Sequence, residues 1–154
     1  MKTPVYSRIL LYALYLAFVG GAVIALTLPW GLDFYARIFR GAAALVPAYR
    51  AFIQPFLMAV AVPGLWILVE MICMLRSING AAGPFVARNV RALYRIGGLL
   101  FLLAAAFLFK CFFFMTFLTL LGMLFFIGSG LFAFTFAALI RQSIVFREEN
   151  DLTI

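Results

Sequence analysis

Long apolar runs separated by short polar segments dominate the chain. The longest extends from Ile96 to Ile140 and contains a single charge, Lys110. Because one membrane-crossing helix needs only ~20 apolar residues, this run predicts two helices joined by a hairpin around Cys111 to Thr116, with Lys110 extending to the outer interface. Two earlier apolar runs predict one helix each. The predicted spans are about 9–28, 52–75, 96–113 and 118–140.

Prolines and small residues refine the predicted helices. Pro29 is expected to close the first span, Pro55 to lie in the first turn of the second, and Pro63 to kink that span at its middle. Gly83–Pro84 predicts the start of the third helix, with Pro84 at its first position. Two stripes of small residues predict close helix packing: Ala17, Gly21 and Ala25 in the first span, and Ser129, Ala133 and Ala137 in the fourth.

The segment between the first two spans, Gly31 to Arg50, has apolar residues at helical spacing. This pattern is compatible with a short amphipathic helix in the outer interface and equally with a solvated loop.

Composition excludes a soluble protein. Of the 154 residues, 68% are hydrophobic and 11% charged, with a mean hydropathy of +1.18, whereas soluble domains are roughly 45–50% apolar and ~25% charged. Four spans with short loops leave no room for a separate soluble domain. Residues 1–154 are therefore expected to form a single integral membrane domain, an all-α, four-helix transmembrane bundle.

The distribution of Lys and Arg predicts the orientation of this bundle. Two thirds of these residues flank one predicted side, so by the positive-inside rule both termini are expected to be cytoplasmic. The predicted inner set is Lys2, Arg8, Arg76, Arg88, Arg91, Arg95, Arg141 and Arg147, and the outer set is Arg37, Arg40, Arg50 and Lys110. The net charge of +7 is interpreted as attraction to anionic lipid headgroups, not to nucleic acid.

Residues suited to catalysis are scarce. The chain has no His, and its two cysteines, Cys73 and Cys111, fall near opposite faces of the predicted bundle. Zinc, haem and His-dependent acid–base sites therefore lack their usual ligands. Ser77 and Ser129 lie outside any Gly-x-Ser-x-Gly context. We expect a protein that is not an enzyme and holds no cofactor or metal.

Glu70 is the candidate functional residue within the membrane. It precedes Arg76 by six residues, or about 9 Å at ~1.5 Å per residue, and a carboxylate at that depth is costly unless it is paired or hydrated. Arg95 or Arg141, at the inner ends of the last two spans, is the predicted partner. The alternative is a proton- or cation-handling role, which would make the protein a small proton-coupled exporter.

Charged residues beyond the last two spans are expected at matching heights. Arg88 precedes Ile96 by eight residues and Glu148 follows Ile140 by eight, about 12 Å in a helix. This predicts a cytoplasmic patch in which Arg88 or Arg91 approaches the carboxylates of the tail. It is either a solvated ion-pair cluster or a surface that receives a soluble partner. The candidate residues are Arg88, Arg91, Arg95, Glu148, Glu149, Asp151, Leu152 and Ile154.

Two segments resemble a known family. Residues 83–97 are Gly-Pro-Phe-Val-Ala-Arg-Asn-Val-Arg-Ala-Leu-Tyr-Arg-Ile-Gly, and residues 147–154 are Arg-Glu-Glu-Asn-Asp-Leu-Thr-Ile. Together they resemble the bacterial membrane family called domain of unknown function 2975, with its Gly-Pro-Phe opening before the third helix and its chain end close to Glu-Asn-Asp-Leu-Thr-Val/Ile. The resemblance covers the whole chain. It implies a four-helix inner-membrane protein without known enzymatic activity, frequently encoded beside a small helix-turn-helix transcription regulator.

These features together predict a multi-pass protein of the bacterial inner membrane that regulates or binds a partner. The expected binding region is the cytoplasmic loop 76–95 with the tail 141–154, and the partner class implied by the resemblance is a helix-turn-helix regulator. Lipid is the other expected partner, and direct contact with nucleic acid is not expected. The sequence is compatible with a homo-oligomer. The exporter that uses Glu70 stays the alternative.

Overall fold

Four long helices make up the computed structural model, which describes residues 5–38, 46–80 and 83–151. They are α1 (Val5–Ile38), α2 (Val46–Asn79), α3 (Ala87–Phe113) and α4 (Phe117–Asp151). Each contains a stretch long and apolar enough to cross a membrane, namely Val5–Leu28, Ala51–Asn79, Ala87–Phe113 and Phe117–Arg147. The prediction of an all-α protein with four helices long and apolar enough to span a membrane is confirmed for the described residues. Residues 114–116 between α3 and α4 fall inside the predicted hairpin.

The prolines do not bound the helices as predicted. α1 continues past Pro29 to Ile38, so residues 31–38, for which the sequence allowed either a short interfacial helix or a solvated loop, extend the same helix. α2 begins at Val46, which places Pro47 in its first turn and Pro55 and Pro63 in its interior. Pro47 suits the first turn of α2, because the backbone N–H that proline lacks would have no partner within the helix at that position. Interior prolines are tolerated in membrane helices because neighbouring groups satisfy the freed carbonyls.

Glycines allow α3 and α4 to pack most closely. A β-carbon on Gly97, Gly122 or Gly130 would come within 2.9 Å of a phenylalanine ring of the facing helix, and on Gly130 it would also lie 3.4 Å from the Gly97 carbonyl oxygen. The rings are those of Phe134, Phe107 and Phe101, respectively. Ala133 and Ala137 of the predicted small-residue stripe are buried, which confirms close packing along that part of α4.

The helices are arranged as a row. α1 packs on α2, α2 on α3 and α3 on α4, and within the described ranges no helix pair outside this order makes comparable contact. Gly21 of the predicted α1 stripe faces α2, where a β-carbon would lie 3.3 Å from Leu65. Leu14 is the one buried residue among the α1 side chains that the structure describes. The assembly is therefore more open than a closed four-helix bundle.

Successive helices in the row run in opposite directions. The first turns of α1 and the last turns of α4 therefore lie at the same end of the row. The Ser7 hydroxyl donates to Asn79 Oδ1, which joins the start of α1 to the end of α2. Ile144 of α4 packs against a buried cluster that includes Val90 at the start of α3. We call this the charged end, since it carries Glu70, Arg76, Arg88, Arg91 and Arg95. We call the other end, with the α3–α4 hairpin, the phenylalanine-rich end; its residues are Phe52, Phe56, Phe109, Phe113 and Phe114.

Candidate functional site at the charged end

A buried carboxylate on α2 is paired with a cation on α3. Glu70 is 8% exposed, and its Oε1 lies 3.2 Å from Arg95 Nε. The same oxygen accepts a hydrogen bond from Trp66 Nε1 at 3.4 Å. The Arg95 side chain is 60% exposed, so its other guanidinium nitrogens remain accessible. The predicted pairing of Glu70 with Arg95 or Arg141 is therefore confirmed for Arg95.

Asn89, which sequence reasoning missed, organises the start of α3. It is 1% exposed, and its Nδ2 donates to the carbonyls of Pro84 at 3.0 Å and Gly83 at 3.4 Å. These bonds draw the Gly83–Val86 segment back over the first turn, with Gly83 at a φ of +72°. The helix consequently starts at Ala87, not at Pro84 as predicted. The available signal was an Asn just after Gly-Pro, because its amide competes for nearby backbone groups.

The other polar atom of Asn89 has no partner among the described residues. Its Oδ1 is buried without a hydrogen bond, a state that costs about 1–3 kcal/mol. Asn89 lines a cavity of about 230 Å³ together with Glu70, Arg88 and Arg95. The remaining lining residues are Trp66, Val69, Cys73, Met74 and Ala92. The cavity is thus lined by the Glu70 carboxylate and the Asn89 amide together with the guanidinium groups of Arg88 and Arg95.

A groove on α3 continues from this cavity. Arg88, Arg91, Tyr94 and Arg95 line an open space of about 420 Å³. The three arginines share one helix face because they are spaced by three and four residues. Arg88 lies in the first turn of α3, where the helix dipole is positive. Only Glu70 among the described lining residues opposes the charge of the three arginines. The groove therefore favours anionic groups.

The predicted contact between these arginines and the tail stays a prediction. Arg88 and Arg91 are exposed, and no ion pair or hydrogen bond joins either to another side chain in the described part of the molecule. Glu149 is exposed near the end of α4. The side chains of Glu148 and Asp151 are outside the described set, as are Leu152 and Ile154 entirely.

Lys110 at the opposite end has partners that the sequence did not predict. Its ammonium donates to Thr119 Oγ1 at 3.1 Å and lies 5.7 Å from the centroid of the Phe56 ring. Thr119 is buried, and its hydroxyl also bonds that of Thr116 at 2.7 Å. A hydroxyl and an aromatic face can replace part of the hydration of a cation, which explains why Lys110 turns toward the helices.

The donor atoms of the charged end suit an organic ion better than a metal. Among the described residues, no group of three or more His, Cys, Asp and Glu could hold a metal ion. The cavity presents guanidiniums, one amide and one carboxylate. Such a set recognises phosphate or carboxylate groups through arginine and amines through the two acceptors.

The fold and the apolar surfaces define the class of protein. Four helices of spanning length, with lipid-compatible side chains exposed along them, make this a multi-pass α-helical membrane protein. The chain belongs to the family described as "Protein of unknown function (DUF2975)", whose family model matches residues 6–154. The resemblance found in the sequence is thereby confirmed. No curated protein and no solved structure matches the chain.

Proposed function

We propose that this protein is a non-enzymatic regulatory protein of the bacterial inner membrane that binds a cytoplasmic partner at its charged end. The observation that carries the proposal is the row of Arg88, Arg91 and Arg95 on the exposed face of α3. The row lies within residues 76–95, in the part that forms the first turns of α3, and the last turns of α4, which include Ile144 of the predicted tail 141–154, pack beside those turns. An acidic surface on the partner would complement it.

The orientation and the class of the partner have separate support. Two thirds of the Lys and Arg residues are assigned to the side of the charged end, which favours a cytoplasmic location under the positive-inside rule. The family resemblance implies a helix-turn-helix transcription regulator as the partner. Regulation would then consist of holding that regulator at the membrane, away from its target.

Capture of the regulator from bacterial cells tests this proposal. The bait is the full-length tagged protein, compared with an Arg88→Glu/Arg91→Glu variant and with a variant that lacks residues 150–154. An Arg37→Glu/Arg50→Glu variant is the matched control. It makes the same charge change near the end of α1 and the start of α2, which lie away from the charged end.

We expect mass spectrometry to find a helix-turn-helix regulator with the wild type and the control, and to find it lost from both charged-end variants. Membrane insertion should be equal in all four proteins. Capture that is unchanged by either charged-end variant would contradict the proposal.

The cavity beside Glu70 favours a second candidate, the proton-coupled exporter. A carboxylate that drives transport must release and regain a proton, whereas Glu70 here is held by Arg95. Glu70→Gln should therefore lower thermal stability in detergent and leave partner capture intact. A flux driven by a pH gradient in wild-type vesicles, absent from the Gln variant while stability is unchanged, would favour the exporter.

A further inference from the structure

We propose that the cavity at the charged end binds a phosphoethanolamine group, carried by the membrane phospholipid phosphatidylethanolamine. The inference does not depend on the protein partner proposed above. It rests on the arrangement of acceptors and guanidiniums around one cavity of about 230 Å³.

The acceptors in this cavity match an ammonium group. Asn89 Oδ1 is buried and has no hydrogen-bond partner, although the Nδ2 atom of the same amide is fully used by Gly83 and Pro84. The bonds of Glu70 to Arg95 and Trp66 both use Oε1, which leaves Oε2 for a further donor. An ammonium has three donors and no acceptor. An ammonium in the cavity would donate to Glu70 Oε2, which no described hydrogen bond uses.

The guanidinium groups match a phosphate. Arg88 and Arg95 line both the cavity and the neighbouring groove, and both side chains are exposed. Guanidinium binds phosphate oxygens through two parallel hydrogen bonds. The positive dipole at the start of α3 adds to the attraction. A group with an ammonium and a phosphate can therefore contact both halves of the site together.

The apolar part of the lining favours a lipid over a soluble compound. Trp66 and Val69 are exposed on α2 and line the same cavity. These side chains belong to the membrane-spanning stretch Ala51–Asn79, and Trp is frequent where the bilayer meets water. A lipid in the adjacent leaflet could place its headgroup in the cavity and its acyl chains along α2.

Native mass spectrometry of the detergent-purified full-length protein tests the assignment. The probes are phosphatidylethanolamine, phosphatidylcholine and phosphatidylglycerol with identical acyl chains. Phosphatidylcholine has a methylated ammonium that cannot donate hydrogen bonds, and phosphatidylglycerol has none. We expect phosphatidylethanolamine to bind about tenfold more tightly than either, the difference expected for one charge-assisted hydrogen bond. Equal binding of the three lipids would overturn the proposal.

Two variants divide the site into its halves. Arg88→Gln should weaken phosphatidylethanolamine binding about tenfold, whereas Arg50→Gln, which removes the same charge near the start of α2, should not. Glu70→Gln should bring the ratio of phosphatidylethanolamine to phosphatidylcholine binding close to one. That ratio is measured on folded protein only. If Glu70→Gln does not fold, Arg88→Gln still decides the proposal, because Arg88 is exposed; equal binding by Arg88→Gln and Arg50→Gln would refute it.

Free phosphoethanolamine distinguishes a soluble ligand from a lipid. If the soluble compound alone, at millimolar concentration, raised the melting temperature of the wild type as much as phosphatidylethanolamine does, the lipid assignment would be wrong. We expect no such shift from the soluble compound, together with stabilisation by the lipid.

Discussion

The two ends of the helix row bury polar groups in different ways. At the charged end, Glu70 is matched to Arg95 by an ion pair, yet Asn89 Oδ1 is left without a partner beside an open cavity. At the phenylalanine-rich end, Lys110 has no carboxylate partner in the described part of the structure, but a hydroxyl and an aromatic ring contact its ammonium. The charged end therefore has a polar atom without a partner and an open cavity. At the phenylalanine-rich end, neighbouring side chains contact the charged group.

Aromatic packing explains the closure. The Phe52 ring lies 4.9 Å from the centroid of Phe113 and 5.4 Å from that of Phe114. Phe56 adds a contact to Phe107 at 5.7 Å. These rings join α2 to the α3–α4 hairpin, and the Phe56 ring also contacts the Lys110 ammonium. The difference teaches that a charge held between helices does not by itself mark a site: the charged end also has an unpaired polar atom, excess positive charge and a cavity.

The largest effect is expected for the α3–α4 contact that both ends share. Gly130→Val would force a side chain against the Phe101 ring and the Gly97 carbonyl, so we expect a loss of about 2–3 kcal/mol in the free energy of unfolding. Gly128→Val is the matched control, because a β-carbon there meets nothing within 4 Å. Thermal unfolding in detergent measures both. Equal losses would mean that the effect comes from helix propensity, not from the contact.

Removal of one cation at each end tests the comparison itself. Arg95→Gln leaves the Glu70 carboxylate buried without its counter-charge, and we expect the free energy of unfolding to fall by about 2 kcal/mol. This is less than the roughly 3–5 kcal/mol lost when a fully buried pair is broken, because Arg95 is largely exposed. Lys110→Gln leaves no carboxylate among the described residues without its counter-charge, so it should lower the free energy of unfolding by less than about 1 kcal/mol. If Lys110→Gln proved the more destabilising, the two ends would not differ as described.

The aromatic end can be perturbed by a smaller change. Phe52→Ala removes the ring that contacts both Phe113 and Phe114. We expect the free energy of unfolding to fall by about 1–1.5 kcal/mol, the range of aromatic pair contributions. The loss should not be larger, because lipid can fill part of the space. Phe112→Ala is the control, since Phe112 is 81% exposed and should change stability little. Melting temperatures of the two variants in the same detergent give the comparison. Equal shifts would indicate that the stacked cluster contributes nothing.

The sequence predicted the features that depend on span length and on the cost of isolated charges. The hairpin at residues 114–116 followed from the length of the apolar run, and the Glu70–Arg95 pair followed because an acid inside a span needs a nearby cation. Side-chain arrangements specific to this fold were not predictable. The contact of Lys110 with Thr119 depends on the path of the hairpin, and the role of Asn89 depends on how Gly83 and Pro84 fold back.

The assignment of the charged end to the cytoplasm is the central claim, and reporter fusions test it most directly. A reporter is placed after residue 154 and, in a second protein, between residues 39 and 45 in the connection from α1 to α2. We predict cytoplasmic activity for the fusion after residue 154 and periplasmic activity for the fusion in the connection, as the excess of Lys and Arg requires. The reverse result would contradict the account, because the arginine groove would then face away from any cytoplasmic partner.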